Sequence, residues 1–241
     1  MERIAVISDI HGNMPALDAV LEDIKNRNIK RIFCLGDLAG KGPSSAEVVD
    51  KIKEYCEVVI KGNWEYYLTE IEGNPVLIWH QKQLGFERLK YMQELPIYKE
   101  FYLSGKLLRL CHASPNDLFH RVYLSTQQSK RLMLFEGTPT LQVEADVVGY
   151  GDIHGAYIDT FGGKTLFNVG SVGNPLDITQ ASYGIIEGKV DDRVEQALAI
   201  SLVRVPYDIE LALDQANSTD MPEKQEYINE LRTAIFRGKK E

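Results

Sequence analysis

Ile4-Ala-Val-Ile-Ser-Asp9-Ile-His11 opens the decisive stretch of this chain. It continues through Cys34-Leu-Gly36-Asp37 to Ile60-Lys-Gly62-Asn63-Trp64-Glu65. Each piece is a short apolar run that ends in groups able to bind a metal. Residues 4–8 form a short apolar run fit for a buried parallel strand, and residues 31–35 and 57–61 read as the second and third strands. Between the first two, Asn13 is a helix cap, and Leu17, Val20, Leu21 and Ile24 recur at helical spacing. Residues 45–55 supply a second helix. A βαβαβ order with right-handed crossovers puts all three strand C-termini on one edge, where ligands bind in open α/β sheets. Topology alone therefore gathers Asp9, His11, Asp37 and Asn63.

Working outward, residues 65–95 read as helical, with Leu84, Leu89 and Met92 on an apolar stripe before Pro96. Strands at 98–103 and 107–110 flank Ser104-Gly105-Lys106 as a hairpin that delivers Cys111-His112. A strand at 146–150 delivers Gly151-Asp152-Ile153-His154, and a Gly162-Gly163 turn joins strands at 157–161 and 165–168. Strands at 183–187 and 199–205 extend the sheet. Two helical segments follow Pro206, so the expectation is one domain over residues 1–241 with a helical C-terminal appendage from about 206. Gly36, Gly62 and Gly151 are expected to permit the tight turns that aim the ligands.

Composition narrows the function classes. The 241 residues are 44% hydrophobic, enough to bury a full core, and the net charge is −8. With a pI near 5.3, nothing basic is clustered enough to neutralise a nucleic-acid backbone. The one basic run, residues 237–240, reads as a solvated tail. No apolar run approaches the roughly 20 residues of a membrane span. Cys34, Cys56 and Cys111 are odd in number and share no CxxC spacing, which fits buried thiols in a reducing cytoplasm.

Taken together, Asp9-x-His11, Gly36-Asp37, Gly62-Asn63-Trp64-Glu65, His112 and Gly151-Asp152-Ile153-His154 resemble the calcineurin-like metallophosphoesterases. That family's pattern is D-x-H, G-D, G-N-H-[DE], a later H, and G-H-x-H. The resemblance covers essentially the whole chain. Asn168-Val-Gly-Ser-Val-Gly-Asn-Pro175 and Arg204-Val-Pro-Tyr-Asp208 are similar to segments of compact prokaryotic members. That subgroup includes enzymes described as diadenosine-tetraphosphate hydrolases. The resemblance implies an α/β fold, a four-layer α-β-β-α sandwich with two mixed sheets. It also implies two divalent metal ions drawn from Mn, Fe, Zn or Mg, with Mn favoured by the oxygen-rich second site. Asp9, His11 and His154 would hold the first ion, Asn63, His112 and Asp152 the second, and Asp37 would bridge them.

Two positions depart from the family pattern. Asp152 replaces a histidine, which should make the dinuclear core less positive and less attractive to phosphate. Trp64 replaces the histidine that can protonate a leaving group, help typically worth 10²–10⁴-fold. Such a loss matters least when the leaving group is a phosphate or aryloxide. The reading is a metallophosphoesterase that cleaves a phosphoanhydride or activated phosphoester, with a small phosphorylated molecule as substrate. Trp64 would also offer a stacking face, and His80 and His120 are candidate substrate contacts. A metal-binding scaffold without turnover and a serine/threonine-type protein phosphatase are the alternatives. Oligomeric state is left open.

Overall fold

The computed structural model describes residues 1–238. Alternation along the first strand sets the architecture. In β1 (Glu2–Ile7), Ile4 and Val6 point into one apolar cluster and Ala5 and Ile7 into another. Both faces of this strand are therefore buried, as a central strand between two layers requires.

The first sheet runs β10-β9-β1-β2-β3, with β2 at Arg31–Cys34, β3 at Val58–Val59, β9 at Ala181–Gly188 and β10 at Ala199–Val205. β1, β2 and β3 are parallel, whereas β9 and β10 add antiparallel strands on the far side. The second sheet runs β4-β5-β6-β8-β7, with β4 at Tyr98–Leu103, β5 at Lys106–Cys111, β6 at Val147–Tyr150, β7 at Tyr157–Phe161 and β8 at Lys164–Asn168. Ile4, Val6, Phe33 and Leu35 of the first sheet meet Leu108, Leu110, Val147 and Phe167 of the second in one buried cluster. The two mixed sheets thus lie face to face.

Helices α1 (Met14–Asn26) and α2 (Ser45–Tyr55) cover the outer face of the first sheet. Asn13 caps α1 through its side chain, which accepts from the Ala16 N–H at 3.2 Å. The helical stretch expected at 65–95 is broken twice: Asn74 caps a new start before Pro75, separating α3 (Asn63–Glu70) from α4 (Pro75–Gln93), and α4 itself kinks at Gly85, whose φ is +66°. The third strand is only two residues long, since its chain leaves the sheet to place Gly62 and Asn63.

The outer face of the second sheet is covered differently. Residues 113–146 form a largely irregular segment with one short helix, α5 (Gln128–Leu132), and a 3₁₀ turn. Buried Arg109 ties this segment down by donating to the carbonyls of Leu134 and Glu136, and Tyr150 donates to the Val122 carbonyl at 2.6 Å. The last helices, α6 (Ile209–Asn217) and α7 (Lys224–Thr233), bury Leu213, Tyr227 and Leu231 with Trp79 of α4.

Candidate metal centre

The backbone at the site is unusual before any side chain is considered. Asp9, His11, Asp37, Asp152 and His154 all have positive φ, between +49° and +64°. Left-handed non-glycine residues are uncommon and carry strain of order 1–3 kcal/mol each, so they persist where surrounding structure dictates them. At Asp9 and His11 crossed backbone hydrogen bonds hold this conformation: Asp9 N–H donates to Gly36 O, and His11 N–H to Asp37 O, both at 3.0 Å. The glycines act chiefly through close approach. A Cβ on Gly62 would lie 2.2 Å from Asp37 Oδ1, and one on Gly151 2.5 Å from Asp9 Oδ2.

Three imidazoles are held by their outer nitrogens. The Nδ1 atoms of His11, His112 and His154 lie 3.4, 2.8 and 2.5 Å from the carbonyls of Ala39, Leu35 and Asn174. A carbonyl only accepts, so each Nδ1 carries a proton and each ring turns its Nε2 inward. His11 Nε2 and His154 Nε2 then face each other at 3.1 Å, and the buried His112 Nε2 has no hydrogen-bond partner among the described residues. Asp9 Oδ1 is likewise buried and unpartnered, 3.1 Å from His154 Nε2 and 3.8 Å from His11 Nε2. Ring nitrogens and carboxylate oxygens converging in a buried space suit a cation held between them. The N/O donor set fits first-row divalent ions.

Asp9, His11 and His154 form one such group, and Asp9, Asp37 and His112 a second. The two oxygens of Asp37 divide between them: Oδ2 lies 3.5 Å from His11 Nε2 and Oδ1 3.4 Å from His112 Nε2. Glu65 fixes this arrangement from behind, accepting the N–H groups of Asp37, Leu38 and Gly62 at 2.7–2.8 Å. Burial and the neighbouring Asp37 charge push the Glu65 carboxyl up to about 7, against the pull of those donors.

Asp152 joins the cluster but both its oxygens are engaged. Oδ1 accepts from Asn63 Nδ2 at 2.9 Å and Arg121 Nη2 at 2.8 Å, and Oδ2 accepts from Arg121 Nε at 2.9 Å. Sequence reasoning missed Arg121. It arrives from the irregular segment, and its charge offsets the extra negative charge that Asp152 brings in place of histidine.

A cleft of about 880 Å³ opens beside the cluster, lined among others by Asp37, Lys41, Trp64, Tyr67, Tyr123 and Phe236. Trp64 reaches it, but the indole is wedged against Gly40, with edge-on contacts to His11, Tyr67 and His80. His80 and His120, expected as candidate substrate contacts, are outside the lining. His80 is buried on α4 under Trp64, with Nδ1 2.9 Å from Ser45 Oγ, because its ring completes the contact between α4 and α2. His120 has a buried Nε2 in the irregular segment, one residue before Arg121 takes the place facing Asp152. Arg237, read as the start of a solvated tail, instead folds back to donate to Glu230 and lines the cleft. Lys239 and Lys240 lie outside the described residues.

The sequence pattern of the calcineurin-like phosphoesterase superfamily domain matches residues 2–191. An uncharacterized protein of Methanocaldococcus jannaschii is 35% identical over 236 residues, covering 91% of this chain and 94% of its own length. The phosphodiesterase YfcE of Escherichia coli is 26% identical over 202 residues, covering 79% of this chain and 90% of its own. Among solved structures, a metallophosphoesterase from Sphaerobacter thermophilus has the same fold, with a TM-score of 0.77 at 24% identity over 97% of this chain and 99% of its own. With its two facing mixed sheets and its cluster of inward-facing donors at their edge, this chain belongs to the calcineurin-like phosphoesterase superfamily and is a metallophosphoesterase.

Proposed function

We propose that the protein uses two divalent ions, Mn favoured, to hydrolyse a phosphoanhydride or activated phosphoester of a small, nucleotide-type molecule. The observation that carries this reading is the split of Asp37, one oxygen toward His11 and the other toward His112 at 3.5 and 3.4 Å. Asp9, His11 and His154 would hold one ion, Asn63 and His112 the other, and Asp37 would bridge. Asp152, with both oxygens hydrogen-bonded, orients Asn63 from behind. When bound, two such ions clamp a phosphoryl group and lower the pKa of a water molecule.

The chain's own groups do the rest. The carbonyls of Leu35, Ala39 and Asn174 lock the three rings with their Nε2 atoms inward. Arg121 supplies a positive charge at the cleft wall. Trp64, at the family's leaving-group histidine, brings a ring with no basic nitrogen. This favours substrates whose leaving group departs without a proton. The phosphodiesterase among the relatives agrees with attack on a phosphorus–oxygen bond. Free Cys34 and Cys111, both buried, agree with a reducing cytoplasm.

The test is kcat/KM of the Mn²⁺-loaded enzyme across phosphoesters of graded leaving-group basicity, with a dinucleoside polyphosphate included. The rate should fall steeply as the leaving group becomes more basic. Trp64→His should flatten that slope and raise alkyl-ester turnover by up to about 10²-fold, with little change on the anhydride. A uniform effect on every substrate would mean that Trp64 only packs. The capture of Asp152 by Arg121 supports a second reading, a metal-binding scaffold. Absence of turnover on every substrate with both metals loaded would decide for it.

A further inference from the structure

Three cations line the cleft: Lys41, Arg121 and Arg237. Two are already paired. Arg121 is spent on Asp152, and Arg237 donates to Glu230 and Glu223. Lys41 is different. Its side chain is only 10% exposed, yet it lines the same cleft as Asp37 and His154.

A lysine ammonium carries three donors. Among the described residues this one has a single hydrogen-bond acceptor, Asn174 Oδ1 at 2.7 Å. The nearby Glu230 carboxylate stands 4.0 Å away, beyond hydrogen-bond reach. Its Oε1 accepts from Arg237 N and Nε, and its Oε2 from Arg237 Nη2 and Asn174 Nδ2. Lys41 is thus held from behind while two donors remain unspent. The loop that carries it is fixed as well. Lys41 has a φ of +60°, and at Gly40 a Cβ would sit 2.0 Å from the Trp64 indole, so the loop is clamped against the ring. A half-satisfied, nearly buried cation that shares the cleft lining with Asp37 of the metal cluster is a site for an anion.

We propose that Lys41 binds a second phosphate group of the substrate, next to the one at the metal centre, so that the cleft selects phosphoanhydrides over simple phosphoesters. This rests on the phosphohydrolase reading and names the residue that would set its substrate class. Arg121 and Arg237 serve less well, since each would first have to leave a carboxylate.

The experiment measures binding and needs no turnover. Mn²⁺-loaded wild type, Lys41→Ala and Lys41→Arg are titrated calorimetrically with methylenediphosphonate and with methylphosphonate, with metal content assayed before and after. Lys41→Ala should weaken the diphosphonate about 10- to 100-fold and methylphosphonate less than about twofold. Lys41→Arg should recover most of the loss. Should the alanine variant fail to fold, Lys41→Met keeps the chain length without the charge, and the same difference is read. Equal losses on both probes, or none, overturn the proposal. So does a lowered melting temperature with both affinities intact, which would make Lys41 a counter-ion of Glu230. Missing anhydride turnover in the wild type would remove the phosphohydrolase reading, while the difference between the two probes is measured independently of it.

Discussion

The two halves of the metal centre are built from different materials. Around Asp9, His11 and His154, the outer contacts of the imidazoles are backbone carbonyls, and the loops that supply them are tied to one another by backbone hydrogen bonds. Around Asn63 and Asp152, the outer contact is a charged side chain, Arg121, whose own exposure is 45%. The first half is rigid because of the fold. The second keeps one backbone-held ring, His112 on the Leu35 carbonyl, but its Asn63–Asp152 side depends on an ion pair that solvent can reach, and that side can be tuned.

In the proposed assignment Asp37 would serve both halves, one oxygen toward each, so its loss should have the largest effect. Asp37→Ala is expected to empty both sites and abolish turnover, whereas Asn63→Ala or His112→Ala should empty mainly the second. Elemental analysis of the purified variants reads this directly. Two metals per chain in Asp37→Ala would contradict the bridging role and redraw the boundary between the halves.

The same contrast explains what the sequence could convey. Asp9, His11, Asp37 and Asn63 were legible because each follows a parallel strand whose C-terminus topology sends to one edge. His112 and His154 follow β5 and β6, a parallel pair of the second sheet, for the same reason. Arg121, Lys41 and Glu230 carry no such signal. Arg121 lies in residues 113–146, where no period of 2 or 3.6 fixes direction, and reaches Asp152 across 31 positions. Glu230 meets Asn174 through the packing of α7 against a loop. The placement of His80 against Ser45 carried no signal, because a helix-face histidine looks alike whether it faces a cleft or a buried serine. The two-residue β3 was overestimated because Ile60 stays apolar beyond the last strand residue, Val59.

Arg121 supplies the next test, of intermediate size. If its charge offsets Asp152, Arg121→Ala should leave a freer carboxylate and a more negative second site. Affinity for the second ion should then rise, by no more than about tenfold because the guanidinium is half exposed, while KM for an anionic substrate rises. Metal titration and steady-state kinetics measure the two sides. A fall in metal affinity would instead mean that Arg121 holds Asp152 and Asn63 in place, which would make the second half as structural as the first.

The smallest effect concerns the helical appendage, which touches the first half through Glu230. Burial pushes this carboxyl up from its ordinary value of 4.5, but hydrogen bonds from Arg237 and the charge of Lys41 outweigh it and hold it at about 2. A carboxyl depressed in the folded protein gives up its proton more readily there than in the unfolded chain. It therefore stabilises the fold fully above about pH 4.5, and that contribution drains away as pH falls toward about 2. Its upper bound is about 3 kcal/mol. Glu230→Gln should lower the melting temperature at neutral pH, and the gap to wild type should close as pH is lowered through that window. Metal content at neutral pH should change little, because Glu230 meets Asn174 through the side-chain amide while His154 is held by the main-chain carbonyl. A gap that stays constant with pH would mean that Glu230 acts through packing alone. A loss of metal along with stability would show that the appendage is part of the first half, and that the fold alone does not make it rigid.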